Sequence, residues 1–395
     1  MAEDLWVILP TGQRPSGEWI DDTLRQRVEE QGVIARTPLV AEFPRQRVEV
    51  IRGEDPEAVA RDLFEQRGWT DGLPIVPPTV GRVEAMLATT ALGRDQSLGE
   101  LEPLKGVASV EKVAANAAMA GCRPGYFPVV LAAVAALAEP EFNLGGVQTT
   151  DENVAPLLIV NGPIVDRLGI NTSFGALGPG WRANATIGRA LRLVMNNIGG
   201  GWPGVVSFAG LGQPGRYTLC LGEAEAASPW QPLHVEAGFA AEASTITLMR
   251  AETAINVTGG LEEIASVMAS AASNFGRLHD GIATVVLAPA TAEQLARNGW
   301  SKAQVKAHLA ETACMPHEEW RRSWIASNIA GRDRWPEWVR AADGQGEAIP
   351  AVGDPESIAL IVAGGDVPIA QHAYFPSWGF PPCRITREIE VPPPD

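Results

Sequence analysis

Cysteine and lysine are scarce in this sequence, and each scarcity narrows what the chain can be. Four cysteines occur among 395 residues, Cys122, Cys220, Cys314 and Cys383, far apart and without a Cys-x-x-Cys pair. Neither a disulfide framework nor a zinc ribbon is indicated, and free thiols in a reducing cytoplasm fit that usage. Lysine is confined to Lys105, Lys112, Lys302 and Lys306, so arginine carries most of the 31 basic residues. Against 47 acidic residues the formal net charge is −16. The mean field of such a chain repels duplex nucleic acid and anionic membranes, which argues against both as partners. Long hydrophobic runs are also missing: Tyr126–Ala138 is the longest, short of the roughly 20 residues that span a bilayer. The acidic start, Met1 to Asp4, lacks the basic region of a signal peptide. What is present is a globular composition, 46% hydrophobic and 20% charged, in a chain long enough for two domains or one large core.

The pattern divides into an arm over 1–55, a mixed α/β core over 56–330, a linker over 331–356 and a strand-containing tail over 357–395. In the arm, Trp6–Leu9 reads as a strand and Asp21–Gln31 as a polar helix, with Pro38 and Pro44 breaking the rest. Asp55-Pro56 then opens a helix as N-cap and first-turn proline, and Gly68 stops it. Helices follow over Val80–Thr89, Val110–Ala120 and Pro124–Leu137. From Ala155 strands and helices alternate. Strands are expected at Leu157–Val160, Tyr217–Leu221, Thr245–Met249, Ala283–Leu287, Ile358–Val362 and Arg384–Val391. Helices are expected at Ala183–Asn196, Leu261–Ala272, Ala290–Arg297, Lys302–Thr312 and Glu318–Ile329. That alternation is an α/β fold, with a helical N-terminal part and a single core.

Several segments carry residue types suited to chemistry. Gly210-Leu211-Gly212-Gln213-Pro214-Gly215 has G-x-G-x-x-G spacing, but a strand-like run follows where a dinucleotide site needs a helix, so a turn is the better reading. A glycine-rich loop from Asn171 enters a helix bearing Arg182, Asn184 and Arg189, and such a terminus suits a substrate anion. Cys122, between two apolar helices and beside Arg123, is either a thiol activated by a helix N-terminus or a small buried turn residue. Glu111 is its possible acid–base partner, or an exposed first-turn carboxylate. Glu223, Glu225, His234 and Glu236 form the densest polar group. On an extended segment His234 and Glu236 would share a face, to act as an acid–base pair or, with Glu223, to ligate a divalent metal; structural hydrogen bonding is the alternative. Asp71 reads as a turn former or a substrate contact, and His372 lies in a Gly/Pro-rich tail able to fold over a site. The many amides, Asn116, Asn161, Asn196 and Asn197 among them, need partners if buried. They imply either a polar pocket or a network that locks loops.

Taken together, Arg67–Thr79, Val113–Cys122 with Arg123-Pro124, Asn161-Gly162-Pro163, Arg182–Leu193, Leu211–Tyr217, Ser228–Glu236, Asn298–Lys302 and Val362–Gly365 with His372 resemble a bacterial family. It is mostly of unassigned function and similar to the UGSC-type (seleno)proteins, named for a Sec/Cys-Gly-Ser-Cys motif. The resemblance covers roughly residues 55–390. This chain has no Cys-Gly-Ser-Cys, so a thiol redox activity carried by the resemblance would need a partner subunit bearing the motif, or Cys122 alone.

These readings converge on a cytoplasmic enzyme, a homo- or hetero-oligomer, acting on a small anionic organic substrate by hydrolysis or elimination. Cys122, His234, Glu236 and Glu111 are the catalytic candidates. Asn171, Arg182, Asn184, Arg189, Asp71, Gln213 and His372 are the substrate-binding ones. A thiol-dependent oxidoreductase working with the motif-bearing subunit is the alternative, and a non-catalytic subunit that binds such a partner is another.

Overall fold

In the computed structural model, which describes residues 4–11, 47–329 and 331–390, local signals set many of the element boundaries. Asp55 caps α1 (Pro56–Gln66), its Oδ1 accepting the Ala58 N–H at 3.0 Å, and Thr79 caps α2 (Val80–Leu87). In the next two helices alanine, valine and leucine predominate, and the polar side chains of the first, Glu111, Lys112 and Asn116, are buried as well. Accordingly α3 (Val110–Ala120) is buried along its whole length, and α4 (Phe127–Leu137) is buried but for one residue. The amphipathic α5 (Arg182–Asn197) packs on both. Two antiparallel ladders complete this first unit: β1 (Leu5–Ile8) with β2 (Val48–Ile51), and β3 (Ser97–Leu101) with β4 (Gly106–Ser109). The expected helix at Asp21–Gln31, with Pro38 and Pro44, lies outside the described residues.

Two four-stranded sheets have their central strands in the second unit. β5 (Ala155–Asn161) and β7 (Thr245–Ala251) pair antiparallel with every residue buried. They are flanked by β6 (Cys220–Gly222) and β14 (Ile385–Glu388) in the order β14-β7-β5-β6. The other sheet runs β12-β9-β13-β8, from β8 (Ile255–Thr258), β9 (Ala283–Leu287), β12 (Ile358–Val362) and β13 (Gln371–Phe375). β12 and β9 pair in parallel, which requires a long crossover. Its first two helices are α7 (Pro289–Arg297) and α8 (Lys302–Thr312), and α8 packs with α6 (Leu261–Ala269) over a core of Ile264, Val285, Leu287, Val305, Leu309 and Leu360.

The fold is thus α/β, as expected, but three features of the expected layout change. The single core over 56–330 is replaced by two units, each discontinuous in sequence: Met1–Asn153 with Trp181–Cys220 and Arg387–Asp395, and Val154–Gly180 with Leu221–Thr386. The linker at 331–356 is instead packed structure. It contains α9 (Glu337–Gln345) and β11 (Ile349–Pro350), which pairs with β10 (Cys314–Met315). Trp335, Val339 and Ala342 make the helical stripe that seats it. The expected Glu318–Ile329 helix breaks at Ser323, whose Oγ caps a new turn by accepting the Ala326 N–H. Among the described residues no single helix is long and apolar enough to cross a membrane; the longest apolar run is the buried α4.

Candidate functional site

A cavity of about 880 Å³ opens in the first unit between the Glu65–Gly72 turn, α5 and the Trp202–Tyr217 loop, a size typical of small-molecule sites. Residues three and four apart on a helix share a face, so Arg189, Arg192 and Asn196 lie along one stripe of α5. Arg189 is consumed by structure. Its guanidinium grips Asp71 through two bonds of 2.7 and 2.8 Å and also donates to the Leu73 and Pro74 carbonyls, which fixes the turn that forms one wall. A bare Cα at Gly188 lets the opposite loop approach: a Cβ there would sit 2.3 Å from Thr218 Oγ1.

Arg192 and Asn196 are left for the cavity. Arg192 is 7% exposed; its Nε donates to the Arg216 carbonyl at 2.7 Å, and Arg216 in turn donates Nη2 to Ser207 Oγ at 2.8 Å. Neither guanidinium has a carboxylate partner among the described residues. Burial, and then the charge of Arg216, push Arg192 down to about 9 against an opposing pull from Asp71; burial also lowers Arg216. Asn196, 2% exposed, keeps a buried Oδ1 without a donor among the described residues. Trp202, 8% exposed, has its indole N–H without an acceptor. Most buried polar groups in native proteins are paired; on this cavity stand a buried guanidinium, Arg192, and a half-buried one, Arg216, neither with a carboxylate partner among the described residues.

The residues expected from the sequence divide between the two units. Asp71 and Gln213 line the cavity, with Arg189 holding Asp71. Arg182 is exposed and does not line it. Asn184 is buried and spends its amide on the Cys220 carbonyl. Glu111, expected as an acid–base partner or an exposed carboxylate, is neither: it is 3% exposed and ion-paired with Arg47 and Arg94. It also stands at the other end of the eleven-residue α3 from Cys122, about 16 Å away along the axis.

Cys122 is corrected as well. A three-residue turn, Pro124–Tyr126, separates it from α4, so no α-helix begins beside the thiol to activate it. Its Sγ donates to the Thr186 carbonyl, and burial pushes the thiol up to about 12. At pH 8 about one molecule in 10,000 would carry the thiolate. Cys122 is therefore expected to stay unlabelled by Ellman's reagent until the chain is unfolded. Fast labelling of the folded protein that disappears in Cys122→Ser would refute the buried-thiol description.

In the second unit the expected polar group is only partly assembled. Residues 234–236 form a helical turn after Pro232, not an extended segment, which turns His234 and Glu236 apart. Glu236 pairs with Lys302 at 2.8 Å and Lys306 at 3.7 Å. His234 is fully buried, with Nδ1 3.7 Å from Glu225. The amide of Asn161 bridges Glu223 and Glu225 at 2.7 and 2.9 Å. No group of three or more His, Cys, Asp or Glu side chains able to hold a metal exists among the described residues, so His234, Glu236 and Glu223 do not make the expected metal site. Asn171 closes its own turn through Ser173 and Phe174. His372 lies within β13, its Nδ1 accepting the Ala288 N–H and its Nε2 3.0 Å from the Gly259 carbonyl. It is a neutral brace, not a residue of a covering loop.

Burial pushes Glu223 up to about 6, although Lys302, the Leu233 N–H and Asn161 act to hold it down. A carboxyl that holds its proton more tightly when folded loses stability as pH rises from 4.5 through 6, amounting to about 2 kcal/mol by pH 7. Glu223→Gln is expected to flatten that slope and raise the urea midpoint at pH 7. An unchanged slope between pH 4.5 and 7 would refute it.

Arg192, Trp202, Ser207 and Arg216 were not among the expected site residues. The stripe Arg189, Arg192, Asn196 was a usable signal; what hid it is that a helix face shows nothing about which neighbour neutralises which cation. Fold and site together define a class: an α/β protein with two arginines on an open cavity that have no carboxylate partner among the described residues. No family model matches the chain, and no curated protein or solved structure matches it.

Proposed function

We propose that this protein binds a small organic anion in the cavity of its first unit, with Arg192 and Arg216 as the groups that hold the charge, and that this anion is the substrate of a cytoplasmic enzyme. The observation that carries the reading is the burial of Arg192 without a carboxylate counter-ion. Burying an unpaired cation is costly, and a bound anion is what would offset the cost. The reading keeps the anionic substrate expected from the sequence and moves the groups that hold it from Arg182, Asn184 and Arg189 to Arg192 and Arg216. Hydrolysis or elimination remains the proposed reaction class. The oxidoreductase and partner-subunit alternatives rest on the motif resemblance and draw no support from this site.

The test is a thermal-shift screen of small carboxylates and phosphates on the wild type and Arg192→Gln. At least one acid is expected to stabilise the wild type, with its Kd raised about 10- to 100-fold in the variant, the range for losing charge-assisted hydrogen bonds. Equal responses of the two proteins would sink the reading.

A further inference from the structure

The two arginines of the cavity specify how much charge its guest brings. We infer that this guest is a small organic dianion, a dicarboxylate or a phosphate monoester, whose two negative charges are shared between Arg192 and Arg216. This rests on the anion reading above and adds the second charge, narrowing the substrate class to acids doubly ionised at neutral pH.

The charged side chains lining the cavity are Glu65, Arg67, Asp71, Arg192 and Arg216. Arg67 is neutralised by Glu49 through bonds of 2.5 and 3.0 Å, and Asp71 by Arg189. Glu65 is exposed on α1 and makes no ion pair among the described residues; water screens a carboxylate so placed. What remains is two guanidinium groups on one space. Each arginine has five N–H donors. Arg192 spends one on the Arg216 carbonyl at 2.7 Å, and Arg216 spends one on Ser207 Oγ at 2.8 Å, so about four are left on each. Unlike Asn196 Oδ1 and Trp202 Nε1, none of the nitrogens carrying them is sealed from solvent. An ionised carboxylate offers about four acceptor sites, enough for one of the two guanidinium groups. The groups also stand close together. One hydrogen bond sets Arg192 Nε against the backbone of Arg216, and the charge of Arg216 acts on Arg192. A single small molecule can therefore reach both. A monoanion settled on either leaves the other without a counter-charge. A second charge on the guest supplies it and sets two attractions against the repulsion between the cations.

Three matched pairs, each differing by one charge, test this by calorimetry on the full chain at pH 8: succinate and succinamate, glutarate and glutaramate, methyl phosphate and dimethyl phosphate. At that pH methyl phosphate carries two charges, because its second pKa lies near about 6. In at least one pair the dianion is expected to bind about 10- to 100-fold more tightly than its partner, the gain from a second charged hydrogen-bonding group. The pair that shows it separates the dicarboxylate from the phosphate. In Arg216→Gln that preference should fall to within about twofold, while Arg192→Gln should weaken every compound. Arg216→Lys keeps the charge and should keep most of the preference, which tells loss of charge from loss of folding. Equal binding within all three pairs, still dependent on Arg192, would overturn this inference and leave the anion reading standing. So would a preference that survives Arg216→Gln, or one lost equally in Arg216→Lys. Absence of binding by all six compounds would overturn both.

Discussion

Arg277→Met is expected to destabilise the second unit by about 4 kcal/mol, the cost of stranding several buried acceptors at once. Arg277 is fully buried, yet its partners are not carboxylates. The guanidinium donates to the carbonyls of Met268, Ala269 and Ser270 at the end of α6, to Pro350 and to the Asn274 side chain, at 2.8 to 3.2 Å. The last carbonyls of a helix have no partner within it and carry the negative end of its dipole. One cation there satisfies three of them and ties α6 to β11. Burial lowers Arg277 to about 10, so it remains charged at neutral pH. Methionine fills similar space but donates nothing. The check is the urea midpoint followed by far-UV circular dichroism. A loss below about 1 kcal/mol, the ordinary range for surface changes, would show that water replaces the guanidinium there.

The second large effect belongs to the cavity wall. Asp71 has a side chain only 3% exposed and Arg189 one 15% exposed, and breaking such a pair from one side leaves an uncompensated buried charge, at about 3–5 kcal/mol. Arg189→Ala should cost more than Asp71→Ala, because it also releases the Leu73 and Pro74 carbonyls. The double variant should be less damaged than the sum of the two, by about 1–3 kcal/mol. Thr70, Asp71 and Gly72 line the cavity, so both variants should also weaken anion binding although Arg189 does not line it. Additive single effects would refute the coupling, and unaltered binding would show that the wall holds without it.

Much of the secondary structure was legible because it depends on neighbours in sequence. Asp55 and Pro56 start α1, the run of alanine and valine makes α3 and α4 core, and Ala283–Leu287 and Ile358–Val362 are strands with the limits their apolar runs imply. Where the reading failed, a tertiary partner had overridden a local signal. Glycine and proline near Trp335 suggest a linker, but Trp320 meets Trp335 edge to face at 5.3 Å and turns the segment into core. Alternation at His234 suggests a strand face, but Leu233 donates its N–H to Glu223 at 2.8 Å and the segment turns instead.

The site shows the same division. The sequence by itself determined that the protein is acidic and α/β, that α5 carries arginines and amides, and that Asp71 and Gln213 sit in conformationally special loops; each follows from composition or local spacing. Only the tertiary structure decided which arginine is spent and which is available. Asp71 lies 118 residues from Arg189 in the chain yet neutralises it, while Arg192, one turn further along, meets only a carbonyl. Charge pairing and desolvation act through space. No spacing in the sequence records them, and they are what separates a structural salt bridge from an arginine without a carboxylate partner on a cavity.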